Sequence, residues 1–246
     1  MRDGKFRPIG TLRTLSFIGL MAVTGGCDSN AALPPVPLTA SAIDAPRFEA
    51  PDARSKTDLA RNRVWLLTRE GVFLQDFEDR ELSGTLTQIE IPGWIWAGAP
   101  YGRLPDLALG PMGEAVITSD VVPTLWRIDP ETLAVSVHPL SLDADTGRDV
   151  GFSGLAYSPE HGTYFAVSPG QGSLWRVDRA LTRAQKIPLS APVAQAWGLG
   201  VRARASERRT ERLAGLCIYS PQGSWTIDLA PDQRSAYLRS AACKAT

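Results

Sequence analysis

The chain has 246 residues, 43% of them hydrophobic with seven tryptophans, and its 26 lysines and arginines are matched by 26 aspartates and glutamates. That much apolar surface excludes an intrinsically disordered chain, and the length suits a single all-β domain. The balanced charge offers no global attraction for a phosphate backbone, so nucleic acid is not expected as a partner.

Residues 1–26 read as an export signal. Four bases (Arg2, Lys5, Arg7 and Arg13) precede a short apolar run from Leu15 to Val23, and Thr24-Gly25-Gly26 leads into Cys27. A bilayer-spanning helix needs roughly 20 apolar residues, and this run ends at two glycines well before that. Small residues just ahead of a cysteine resemble the lipobox of bacterial lipoproteins, in which the peptidase cuts before a cysteine that already carries diacylglycerol. Thr24 departs from that pattern, since the family usually has an aliphatic residue there. The resemblance implies cleavage before Cys27, palmitate-type acylation of that residue, and a membrane anchor on the periplasmic or extracytoplasmic face. Asp28 resembles an inner-membrane retention signal, a rule that differs between organisms, so the choice of membrane stays open. Each buried methylene contributes about 0.8 kcal/mol, so two or three acyl chains would hold firmly. Cleavage removes four bases and one acid, leaving 22 bases against 25 acids.

Residues 27–62 follow as a tether, with five prolines between Asp28 and Asn62 and no sustained apolar period. Pro-rich segments extend by about 3.1 Å per residue, so this stretch would hold a folded domain some nanometres from the bilayer.

Residues 63–246 carry an internal repeat. Asp106 to Leu133 aligns with Gly154 to Leu181, so that Leu125-Trp126-Arg127 matches Leu174-Trp175-Arg176 and Asp129 matches Asp178. A third copy runs from Trp197-Gly198-Leu199-Gly200 to Trp225-Thr226-Ile227-Asp228. A fourth, Arg63 to Gly93, lacks an obvious first strand. Each copy is a series of short runs of β-branched, aromatic and alternating residues cut by Pro, Gly, Asp or Ser, the pattern of strands. Four strands in 40 to 50 residues describe a propeller blade. In the Asp106 copy the strands are predicted near Leu107–Leu109, Glu114–Thr118, Thr124–Asp129 and Ala134–Leu140. The expected fold is therefore all-β, a small β-propeller of about four blades, each of four antiparallel strands. Trp126, Trp175 and Trp225 are expected to pack between blades. The incomplete first copy suggests closure by the C-terminal segment Ser235–Ser240. A four-bladed ring, an open arc finished by a partner and a homodimer closing a larger ring all fit the count.

The stretch from Ser153 to Asp178 resembles blades of the NHL, gluconolactonase-like and esterase-like phytase propellers, with a Gly-Leu-apolar strand, a turn and a second apolar strand. That likeness covers two blades and implies blade shape. The acidic positions that hold calcium in those enzymes are not recognisable, and a fold does not transfer a function.

With Cys27 acylated, Cys217 and Cys243 remain as a pair, and an oxidising compartment favours a disulfide between them. Catalytic groups are scarce. His138 falls on a predicted outer strand and His161 in a turn, and neither a phosphate loop nor a Gly-x-Ser-x-Gly elbow occurs. No cofactor is expected. Propeller ligands bind where the loops entering the innermost strands converge, which nominates Arg103, Asp106, Asp149, Ser153, Gln195 and Trp197, with Phe152 beside them. Trp94 and Trp96 alternate in a Gly-rich loop, as closure contacts or as a surface for protein or glycan. Arg202 to Arg212 carries five arginines, as in an enlarged solvated hairpin. The function these features suggest is an accessory or scaffolding envelope lipoprotein that binds a protein or ligand, more readily than an enzyme. The rival is a metal-dependent propeller hydrolase, lactonase- or phytase-like, with Asp106 and Asp149 among its ligands.

Overall fold

The computed structural model describes residues 53–78, 81–82, 84–98, 104–146, 148, 150–202, 215–230, 232, 234–240 and 243. Cys27 and the export signal, Arg103, Asp149 and nearly all of the arginine-rich segment lie outside these residues.

The chain forms four antiparallel sheets arranged as the blades of a four-bladed β-propeller, with no helix among the described residues. Blade one contains β1 (Ala53–Asp58), β2 (Arg63–Thr68), β3 (Gly71–Glu78), β4 (Glu81–Leu82) and β5 (Thr87–Ile89). Blade two contains β6 (Leu107–Leu109), β7 (Ala115–Ile117), β8 (Thr124–Ile128) and β9 (Val135–Pro139), and is followed by the short strand β10 (Ser141–Leu142). Blade three contains β11 (Gly154–Ser158), β12 (Thr163–Ser168), β13 (Ser173–Val177) and β14 (Arg183–Ile187). Blade four contains β15 (Gly198–Arg202), β16 (Gly215–Ser220), β17 (Gly223–Leu229) and β18 (Ala236–Ser240).

The repeat produces this arrangement because each inner blade must bury both faces. Side chains alternate across a strand. In blade three, Tyr164, Ala166, Trp175 and Val177 therefore enter the apolar cluster shared with blade two, while Phe165, Val167, Leu174 and Ile187 enter the one shared with blade four. A third cluster, with Trp65, Leu67, Val72, Ile117 and Trp126, joins blades one and two. Trp126 and Trp175 occupy equivalent places at successive junctions, and Trp225 packs partly buried against the third. Gly154 marks the closest approach. A Cβ there would come within 2.7 Å of the Gly198 carbonyl carbon and 2.8 Å of the Leu199 nitrogen, so the Gly-Leu start of β11 serves packing at the axis.

Two expectations change. The first blade has its first strand: β1 pairs along its whole length with β2, from Ala53 opposite Thr68 to Asp58 opposite Arg63. The sheet thus begins inside the stretch read as tether, and its sequence Ala-Arg-Ser-Lys-Thr-Asp hides it, because this strand offers no apolar alternation. The C-terminal segment consequently does not complete blade one. β18 pairs with β17 as the outer strand of its own blade.

Candidate functional site

The chain enters each innermost strand at the same end of the propeller, here called the channel end, and the residues just before those strands meet there. Asp106 precedes β6 and is only 4% exposed. Its Oδ1 accepts the Leu107 N–H and its Oδ2 accepts the Leu155 N–H, both at 2.9 Å, so one carboxylate ties blade two to the inner strand of blade three. Its own N–H donates to Thr118 Oγ1 at 2.8 Å. Ser153, also buried, donates from Oγ to the carbonyl of Ala196 and so ties blade three to the approach of blade four. Arg54 on β1 donates to the carbonyl of Trp197 at 2.8 Å, and its guanidinium lies 4.8 Å from the centre of the Trp197 ring. That ring lies 5.5 Å from Tyr219. Three of the four junctions are thus stapled by polar groups at this end, and the junction of blades four and one uses Arg54, which the reading of residues 27–62 as tether had hidden. Gln195 is exposed with φ +54° and stands apart from this network. Phe152 is buried edge-on to Trp175 at 6.0 Å.

Among the described residues no three His, Cys, Asp or Glu side chains converge in a way that could hold a metal ion. Asp106 also has its oxygens turned to backbone donors. Truncating it would leave the buried Leu155 N–H unsatisfied, which costs about 1–3 kcal/mol. Asp106→Ala is therefore expected to lower the melting midpoint by about 3–9 °C, by the same amount with and without a strong chelator. A loss that appears only in chelator-free buffer would make Asp106 a ligand instead.

Among the described residues, the Trp94-Ile95-Trp96 loop presents accessible apolar surface at this end. The two indoles stack at 6.3 Å with their planes 25° apart, Trp94 donates from Nε1 to the Thr118 carbonyl at 2.9 Å, and Ile95 is 49% exposed. Asp120 accepts the Ala97 N–H at 2.8 Å and so anchors the loop's exit. Burial raises the Asp120 carboxyl above the usual range, with that N–H bond opposing the shift. Both histidines are half-buried and sit on different blades. His138 bonds Ser136 at 2.8 Å, and burial, then the charge of Arg127, lowers its pKa. His161 bonds Ser158 at 2.8 Å, but that serine is fully buried and presents no accessible nucleophile. A cleft of about 490 Å³ near His161 is lined by Thr163, Arg176, Asp178 and Arg183, and Asp178 is engaged there by Thr182 and the Arg183 N–H.

Glu114 escaped the sequence reading. It is buried at the far end between blades two and three, where it accepts the Tyr164 hydroxyl at 3.1 Å and the Met112 N–H at 2.9 Å. Burial, reinforced by the Glu114 charge, holds the Tyr164 phenol well above its ordinary value.

No protein-family profile matches the chain, and no curated protein does. Solved structures do. A catalytically inactive virginiamycin B lyase from Staphylococcus aureus with quinupristin aligns over 78% of this chain and 56% of its own, at 12% identity and a TM-score of 0.53. An auxiliary nutrient binding protein from Bacteroides thetaiotaomicron aligns over 78% of this chain and 42% of its own, at 11% identity and a TM-score of 0.51. The chain thus spans about half the length of these two structures. At such identities the likeness establishes the β-propeller fold alone.

Proposed function

We propose that this chain is an envelope lipoprotein, anchored through acylated Cys27, whose propeller is a non-catalytic module that binds another protein at the channel end. One observation carries the reading. The polar groups converging at that end are used to join blades, by Asp106, Ser153 and Arg54, while the stacked Trp94–Trp96 pair and Ile95 are left presented on a loop fixed by two hydrogen bonds. Rigid aromatic side chains that need little further ordering are favoured at protein contacts. The nutrient-binding neighbour is a binding protein on the same fold, which is compatible with this reading.

A photo-crosslinking residue at position 95 tests it in intact envelopes. Adducts of defined mass are expected there and not from position 112 at the far end, where Met112 is similarly exposed. Equal yields from both positions, or none from either, would reject the channel-end surface. The anchor has its own test, since the intact mass of the native protein should begin at Cys27 and include acyl groups. A stoichiometric metal that is retained on purification and lost with Asp106→Ala would favour metal-dependent hydrolysis instead.

A further inference from the structure

Blades three and four share a device that blade two lacks. After blade two, Pro139-Leu140 turns the chain so that β10 runs parallel to β14 of the next blade, with Ser141 opposite Arg183 and Leu142 opposite Ala184. Ser141 N–H donates to the Thr182 carbonyl at 2.9 Å and Asp143 N–H to that of Ala184 at 3.2 Å, while Leu142 packs against the apolar cluster of blades two and three. After blade three, Pro188-Leu189-Ser190 repeats this on β18. Leu189 bridges Ala236 in parallel, Ala236 N–H donates to the Pro188 carbonyl at 2.9 Å, and Ser190 N–H donates to that of Ala236 at 3.1 Å. Leu189 packs against the cluster of blades three and four. Each outer strand is thus lengthened sideways by a short leucine-centred segment of the preceding blade, Ser141-Leu142-Asp143 in one case and Pro188-Leu189-Ser190 in the other, with its leucine packed at the junction.

After blade one the corresponding residues are Pro92-Gly93-Trp94. Gly93 takes φ +65° and turns the chain away from the edge, and Trp94 is held at the Thr118 carbonyl. Among the described residues β9 therefore pairs with β8 alone. Beside it lies a groove of about 670 Å³ lined by Ile89, Ile91, Pro92, Leu133 and Val135. Ile91, Leu133 and Val135 pack onto the cluster of blades one and two, so the groove continues that established interface outward, and Val137 farther along β9 is 46% exposed. The pairing of Ile128 with Val135 and of Val177 with Ala184 places Val135 where Ala184 stands in blade three. Its outward carbonyl then corresponds to the one that accepts Asp143.

We propose that the outer edge of β9 receives an extended leucine-centred segment of a partner protein, which adds as a parallel strand and seats one aliphatic side chain in the groove. Strand addition at a bare edge takes affinity from main-chain bonds and specificity from the pocket, and the two internal segments show the chemistry that fits. The proposal deepens the binding-module reading by adding a second surface on that module.

The test uses the full-length protein and a labelled peptide of sequence Lys-Ile-Pro-Leu-Ser-Ala-Pro, copied from 186–192. Saturable binding is expected, with amide-exchange protection gained within 133–139. Val137→Lys should weaken it at least tenfold, whereas Tyr237→Lys on the exposed face of β18 should not, and a peptide with aspartate for leucine should not bind. Absence of saturation at about 1 mM peptide, equal affinity for the two lysine variants, or protection confined to 183–187 or 236–240 would overturn the proposal. Crosslinking from position 95 remains an independent readout, so peptide failure alone leaves the channel-end reading standing.

Discussion

Trp175→Ala is expected to destabilise the propeller by about 3–5 kcal/mol, and so to lower the melting midpoint by roughly 10–15 °C. The side chain is fully buried at the junction of blades two and three, meets Phe152 edge-on, and satisfies its indole N–H on Ser173 Oγ at 2.9 Å. Alanine removes most of that apolar contact and leaves a cavity that close-packed blades on both sides cannot readily fill. The repeat supplies an internal scale. Trp126 is also buried and donates to the Pro92 carbonyl at 2.8 Å, so its truncation should cost a similar amount. Trp225 lies only partly buried at the edge of its cluster, and Trp225→Ala should cost distinctly less. Denaturant unfolding of the three variants measures this order. Equal losses at all three positions would show that position in the repeat, and not depth at a junction, sets the energy.

That gradient also marks how far the sequence could be read. Blades two and three were legible because burial on both faces demands apolar residues on both, and the resulting runs such as Thr163–Ser168 recur with a Trp at fixed spacing. Strand limits in blade two came within two residues of those observed, at β6 to β9. β1 was not legible, because an inner strand whose stabilisation lies in six paired backbone positions with β2 needs little apolar alternation. Its loss from the reading also concealed Arg54. At the channel end, Asp106 and Ser153 precede inner strands and so read from sequence as candidate binding residues, yet sequence alone has no means of telling a ligand-facing carboxylate from one that caps a neighbouring N–H. Only the 2.9 Å contact with Leu155, distant by 49 positions, makes that distinction. Trp94 and Trp96 are both half-buried, stacked on each other, with Trp94 held at the Thr118 carbonyl.

Breaking the Cys217–Cys243 disulfide should have an effect as large as removing a core tryptophan, but by another route. The bond joins residues 26 apart. Opening a loop of that length releases denatured-chain entropy equivalent to roughly 3.5 kcal/mol. Cys217 alternates along β16 with Leu216 and Ile218, which belong to the cluster shared with blade three, so it points to the opposite face of blade four. The bond therefore does not lock a C-terminal strand onto blade one. It ties Cys243 back to its own blade, where the Cys243 N–H donates to Ser224 Oγ at 3.1 Å. One end of the link lies on β16 and the other just past β18 of the same blade, so its loss should appear first as faster amide exchange in β18, with blades two and three still protected. Reduction, or Cys243→Ser, is expected to lower the global midpoint by about 7–14 °C. If β18 exchanges no faster and the midpoint moves by less than about 2 °C, the packing of β18 on β17 holds the C-terminal edge unaided, and the disulfide is dispensable to blade four.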